Sequence, residues 1–158
     1  MSETLRTAAF TIIGGTIVFI AGQFFAITFF ERIRQQARTI EEISEALVTY
    51  AQYYSTVFEF DTEFADEVRK NQLKDAFISA QKHLRTLSGR LRTTCVTLPG
   101  YSFFAEIRFV KKRKQIEKAS KALIGLSNCI PLISPVTDKM ANDFRNEVEE
   151  ALNLHLKI

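Results

Sequence analysis

Between Thr7 and Phe30 the chain carries no Asp, Glu, Lys or Arg, and Gln23 is the only strongly polar side chain there. As a helix rising ~1.5 Å per residue, this stretch reaches roughly 36 Å. A hydrocarbon core of ~30 Å is crossed by that length with some tilt. Core helices of soluble domains seldom run so far without a charge. A cleavable leader would need small residues at −3 and −1 after an apolar run of about 7–15 residues. Ala21 and Gly22 are small, but Phe24 and Phe25 continue the apolar sequence. The pattern predicts a retained transmembrane helix over 7–30, preceded by a short extracytoplasmic N-terminus, 1–6.

Flanking charge sets the expected orientation. Arg6 precedes the apolar stretch, whereas Arg32, Arg34 and Arg38 follow it. Basic residues near a span favour the cytoplasmic side, which puts 31–158 in the cytoplasm. Within the span, Ala8, Gly15 and Gly22 recur every seven residues, and Thr11 and Ala26 fall on the same face. A stripe of small residues lets two helix backbones approach in lipid, where packing replaces the hydrophobic drive. No GxxxG is present. These residues are the expected transmembrane packing surface, and a homo-oligomer the expected consequence.

Beyond Phe30 the apolar positions keep a helical period. Ile33, Ala37, Ile40, Ile43, Leu47, Ala51, Tyr54 and Phe58 step by threes and fours, predicting a helix over about 31–60 that leaves the membrane without a break. Asp61 or Thr62 can cap a second helix, 62–94, carrying Phe64, Val68, Leu73, Phe77, Ala80, Leu84, Leu87 and Leu91. Pro99-Gly100 marks a turn. Ser102 then caps a third helix, 103–127, with Ile107, Val110, Ile116, Ala119, Leu123 and Leu126 inward. Ser134-Pro135 opens a fourth, 135–154, on Val136, Met140, Phe144, Val148 and Leu152. Only six Gly and three Pro punctuate the 158 residues, a length that fits one domain. The expected fold is all-α: one N-terminal transmembrane helix continuing into an antiparallel, up-down-up-down four-helix bundle.

Charge is segregated along this path. Eight acids and no Lys or Arg lie between Arg38 and Arg69, while nine bases and one acid, Glu106, lie from Lys82 to Lys114. In the antiparallel arrangement the basic end of the bundle returns to the bilayer. Lys and Arg near anionic headgroups gain about 1 kcal/mol each. Arg32, Arg34, Arg90, Arg92, Arg108, Lys111, Lys112, Arg113 and Lys114 are therefore the expected lipid-headgroup contacts.

Signs of chemistry are sparse. "RFVKKRK" at 108–114 is a basic run, but no nucleic-acid fold signature accompanies it. His83 and His155 have no ligand at metal-binding spacing, and no P-loop, dinucleotide fingerprint or nucleophile elbow occurs. Cys95 and Cys129 flank the expected third helix and are too far apart to pair. The expectation is a non-catalytic, membrane-anchored helical bundle without catalytic residues, metal or cofactor. It would act as an interaction or assembly module at the cytoplasmic membrane face, with anionic lipid and a second copy or another protein as partners. The rival expectation is a small effector that oligomerises through its span and perturbs the bilayer when triggered. A membrane-tethered enzyme or nucleic-acid binder stands third.

Overall fold

A computed structural model describes residues 3–55, 67–130 and 135–154. No strand occurs among the described residues, and the protein is all-helical with a long apolar helix at its N-terminus. Helix α1 (Glu3–Phe25), a π-helical turn (Ala26–Phe30) and α2 (Glu31–Thr49) form one continuous rod. There follow α3 (Ala51–Ser55), α4 (Glu67–Thr97), α5 (Tyr101–Glu106), α6 (Arg113–Cys129) and α7 (Pro135–Leu152).

The rod is long and apolar enough to cross a membrane, and among the described residues its most apolar stretch is not buried at all. Three of its threonines are satisfied locally. Thr7, Thr11 and Thr16 donate to the carbonyls of Glu3, Thr7 and Ile12, four residues back, at 3.0, 2.9 and 2.8 Å. A hydroxyl closed onto its own helix leaves no open donor for an apolar environment to penalise.

Beyond Phe30 the helix becomes amphipathic, burying Gln36, Thr39, Ile43, Ala46 and Leu47. It packs on α4, α4 packs on α6, and α6 on α7, while α3 touches α7. The cross-helix bonds fix direction. Gln36 meets Thr94, Glu42 meets Arg90 and Tyr50 meets His83, so partners retreat along α4 as they advance along α2. Ser88 Oγ donates to the Ser120 carbonyl at 2.9 Å, and Arg85 reaches Ser127 and Asn128, so α4 and α6 likewise run in opposite directions. Lys118 with Glu150 and Gly125 with Phe144 repeat it for α6 and α7. Leu47, Leu84, Leu87, Leu91, Leu123 and Leu126 are completely buried at the centre. Each such side chain contributes about 1.5–3 kcal/mol of transfer free energy.

Several boundaries differ from those expected. The helix expected over 31–60 is broken at Tyr50, whose N–H still bonds the Ala46 carbonyl at 2.9 Å before α3 begins. Its last residues, and the expected start near Asp61 or Thr62, lie outside the described residues. Helix α4 continues past Thr94 to Thr97. The helix expected over 103–127 is two helices, because the chain turns at 107–112 with Arg108 at φ 64°. Ser102 lies inside α5, and the cap position belongs to Gly100 at φ 67°, a left-handed conformation that glycine adopts without strain. Ile107, Met140 and Ala37 are exposed, not inward. Pro135 opens α7 as expected.

Candidate functional site

The most organised region outside the core lies where the apolar helix meets the packed helices. Phe25 and Phe29 stack with ring centroids 4.3 Å apart. Phe29 also reaches Phe104 of α5 at 5.5 Å and leaves solvent to pack on the core. The end of the apolar helix and α5 are therefore at one level.

About two turns further on, Gln36 is buried and uses both ends of its amide. Its Nε2 donates to Thr94 Oγ1 at 3.1 Å and to the Tyr101 hydroxyl at 3.0 Å. Its Oε1 accepts the Lys111 backbone N–H at 3.0 Å. The Tyr101 hydroxyl donates onward to the Lys111 carbonyl, and Thr94 to the Leu91 carbonyl. Two backbone groups freed by the turn at 107–112 are thus bonded to side chains far away in sequence, as buried polar groups require. Among the described residues no buried side-chain nitrogen or oxygen lacks a partner. Burial pushes the Tyr101 phenol well above its ordinary value; the neighbouring Cys95 thiol adds to this and the Gln36 amide offsets part of it.

Next to this node a groove of about 640 Å³ runs between α2, the turn and the end of α7. Ile33, Ala37, Ile40, Val110, Leu152 and Leu154 give it apolar walls, and Arg108, Lys111 and Lys112 give it a basic rim. Helix α6 starts from this rim, with the Gln115 side chain accepting the Lys112 N–H at 3.0 Å as the helix-capping partner. The arrangement can hold anions at its edge and apolar matter beside them.

The expected headgroup residues divide accordingly. Arg108, Lys111 and Lys112 gather at the turn, and Arg113 and Lys114 follow in the first turn of α6, where Arg113 approaches Glu117 at 4.0 Å. Arg32 and Arg34 sit on α2 just past the apolar helix, exposed, with Arg32 reaching Gln35. Arg92 is exposed on α4. Arg90 is further along and engaged with Glu42 at 2.9 Å, so its charge is shared with a carboxylate. Of the small-residue stripe, Ala8, Thr11, Gly15 and Gly22 are exposed and Ala26 is half-buried. A Cβ added to Gly15 or Gly22 would meet nothing within 4 Å.

A second polar cluster lies towards the other end of α2. The Tyr50 hydroxyl and His83 Nδ1 are 2.8 Å apart beside Glu42, Glu45 and Arg90, around a cavity of about 320 Å³. Among the described residues no group of three His, Cys, Asp or Glu could hold a metal ion. Cys95 and Cys129 are buried free thiols, and burial pushes the Cys129 thiol up.

Gln36, Thr94, Tyr101 and Phe29 are not among the residues expected from the sequence. The one signal for Gln36 is a polar residue on the apolar stripe between Ile33 and Ile40. No family model, curated protein or solved structure matches the chain.

Proposed function

We propose that this chain is a single-pass membrane protein whose apolar helix, 7–30, anchors an up-down-up-down four-helix bundle. Residues 1–6 are extracytoplasmic, the bundle occupies the cytoplasmic face, and it works there without catalysis as an interaction and assembly module. The observation that carries this reading is the continuous rod. Among the described residues its most apolar stretch is not buried at all and only Phe29, at its end, packs on the core, while its amphipathic half is the first helix of that core. A soluble protein leaving that much apolar surface in water would be strongly disfavoured. The alternating sense of the cross-helix bonds supports the bundle, and the excess of Arg after the apolar helix supports the orientation. Arg32, Arg34, Arg108, Lys111, Lys112, Arg113 and Lys114 face anionic headgroups at the membrane-proximal end. The open stripe Ala8, Thr11, Gly15, Gly22 and Ala26 receives a second copy.

Alkaline carbonate extraction of membranes tests the anchor: the protein stays in the pellet. Chemical crosslinking in intact membranes tests assembly and yields a species heavier than the 18.1 kDa chain. Release by carbonate would overturn the anchor, and a single-chain mass at every crosslinker concentration would overturn self-assembly. Cell toxicity that needs residues 7–30, without a stable complex, would transfer the reading to a bilayer-perturbing effector.

A further inference from the structure

We infer that α5 and its connection to α6 form a second membrane contact of the same chain. Phe103, Ile107 and Phe109 insert among the lipids of the leaflet from which the apolar helix emerges, and Arg108, Lys111 and Lys112 bind the phosphates of its anionic headgroups. This rests on the reading of residues 7–30 as a span.

Three large apolar side chains stand in the open within a short segment: Phe103 is 62%, Ile107 46% and Phe109 63% exposed. Ile107 and Phe109 flank Arg108, and Lys111 and Lys112 follow on the same turn, a composition suited to the boundary between headgroups and acyl chains. Position selects that boundary. A hydrocarbon core of ~30 Å takes about 20 residues of helix, so the apolar stretch 7–30 overshoots it slightly and Phe29 falls near its edge. Phe29 touches Phe104, the immediate neighbour of Phe103, with ring centroids 5.5 Å apart. The aromatic residues of α5 are thus held at the depth where the span leaves the acyl chains.

The segment is also held in place. Lys111 is fixed through its backbone N–H to Gln36 and through its carbonyl to Tyr101. Gln36 belongs to the same unbroken rod as the span. The contact therefore cannot swing free of the membrane without breaking partly buried bonds. It adds the apolar insertion and the polybasic attraction that together make a stable surface attachment, and it fixes the bundle's tilt against the bilayer.

The chain has no tryptophan, so one introduced tryptophan reports alone. The full chain carrying Phe109→Trp, and separately Phe103→Trp, is reconstituted in vesicles of phosphatidylcholine and phosphatidylserine. Phe19→Trp serves as the span reporter. We expect Phe109→Trp and Phe103→Trp to be quenched severalfold more by lipids brominated near the headgroup than by lipids brominated near the chain end. Both should be protected from aqueous acrylamide. At equal density, brominated phosphatidylserine should quench Phe109→Trp more than brominated phosphatidylcholine does, and Lys111→Gln with Lys112→Gln should remove that difference. Open access of acrylamide to both tryptophans, with Phe19→Trp still buried in lipid, overturns the second contact and leaves the span standing. Acrylamide reaching Phe19→Trp overturns the span itself. Protection from acrylamide without quenching by any brominated lipid means that protein covers the segment, and this too overturns the proposal. Equal quenching by the two brominated lipids overturns the role of the cations.

Discussion

The Gln36 amide donates to the Tyr101 hydroxyl across 3.0 Å, joining the helix that continues the apolar rod to the short helix before the basic turn. The same amide accepts the Lys111 N–H. Replacing Gln36 by Leu preserves size and removes these bonds. Tyr101 keeps the Lys111 carbonyl and Thr94 keeps the Leu91 carbonyl as acceptors, so the Lys111 N–H is the group left orphaned in a partly buried site. An unsatisfied buried donor costs about 1–3 kcal/mol. Denaturant unfolding followed by helical circular dichroism should show that loss. Gln35→Leu, on the exposed side of the same turn, should stay within about 0.5 kcal/mol. Equal stability of the two variants would remove Gln36 from its structural role.

Tyr101 gives a pH dependence with a definite sign. Its phenol is held well above the ordinary value, chiefly by burial. The unfolded chain therefore releases this proton first as pH rises. Stability linked to Tyr101 is complete below the unfolded value of about 10 and falls above it, because the native state then binds more protons. Tyr101→Phe should be less stable at neutral pH, having lost the bond to the Lys111 carbonyl, and should show a shallower alkaline decline. Unfolding midpoints measured from pH 8 upwards test this; an unchanged alkaline slope would assign the decline to other groups.

Two glycines should respond in opposite directions. A Cβ on Gly125 would lie 2.7 Å from the Phe144 ring, whereas one on Gly89 would meet nothing within 4 Å. Gly125→Ala must push α6 and α7 apart or turn the ring, at about 1–3 kcal/mol, partly offset by better helix propensity. Gly89→Ala keeps only the propensity gain, roughly 0.5–1 kcal/mol of stabilisation. Phe144→Leu should relieve Gly125→Ala in a double-mutant cycle. Additive effects would show that the two residues do not press on each other.

The core face of α4 was legible from Phe77 onward: Phe77, Ala80, Leu84, Leu87 and Leu91 keep a helical period and are all buried, whereas Leu73 is half-buried. So was the apolar rod, whose length without charge admits few alternatives. The turn at 107–112 was not. No Gly or Pro marks it, and "RFVKK" reads locally as helix. What stabilises it is non-local, since Gln36 and Tyr101 satisfy the backbone of Lys111 from 75 and 10 residues away in sequence. Periodicity sees neither bond. Ile107 consequently falls on the predicted core face, whereas the turn leaves it exposed.

The stripe on the apolar helix predicts an effect confined to assembly. Gly15 and Gly22 face open space within the chain, so Gly15→Ile with Gly22→Ile disturbs no intramolecular packing. Added bulk raises hydropathy and leaves insertion intact. If these glycines let two backbones approach, the branched side chains hold them apart. Crosslinked oligomer should then fall severalfold while the carbonate-resistant fraction is unchanged. Unchanged crosslinking would make the glycines ordinary membrane composition.

Orientation should follow the arginines. Arg32, Arg34 and Arg38 are exposed, and their polar contacts are loose: Arg32 to Gln35 at 3.4 Å and Arg38 to Glu31 at 3.9 Å. Exposed pairs of this kind contribute little to stability, so replacing all three by Gln leaves the packed helices intact. The orienting charge nevertheless disappears, since basic residues close to a span, and not acidic ones, set its direction. A reporter active only in the cytoplasm, fused after residue 158, should be fully active on the unaltered chain. With the three Gln substitutions and three arginines introduced ahead of Thr7, activity should drop, and a reporter active only outside the cytoplasm should gain it. The basic turn at Arg108, Lys111 and Lys112 remains on the packed helices and opposes complete inversion, so a mixed population is expected. An unaltered chain reporting from outside the cytoplasm would overturn the orientation. A charge-swapped chain reporting only from the cytoplasm would instead show that the packed helices, not the arginines beside the apolar helix, set it.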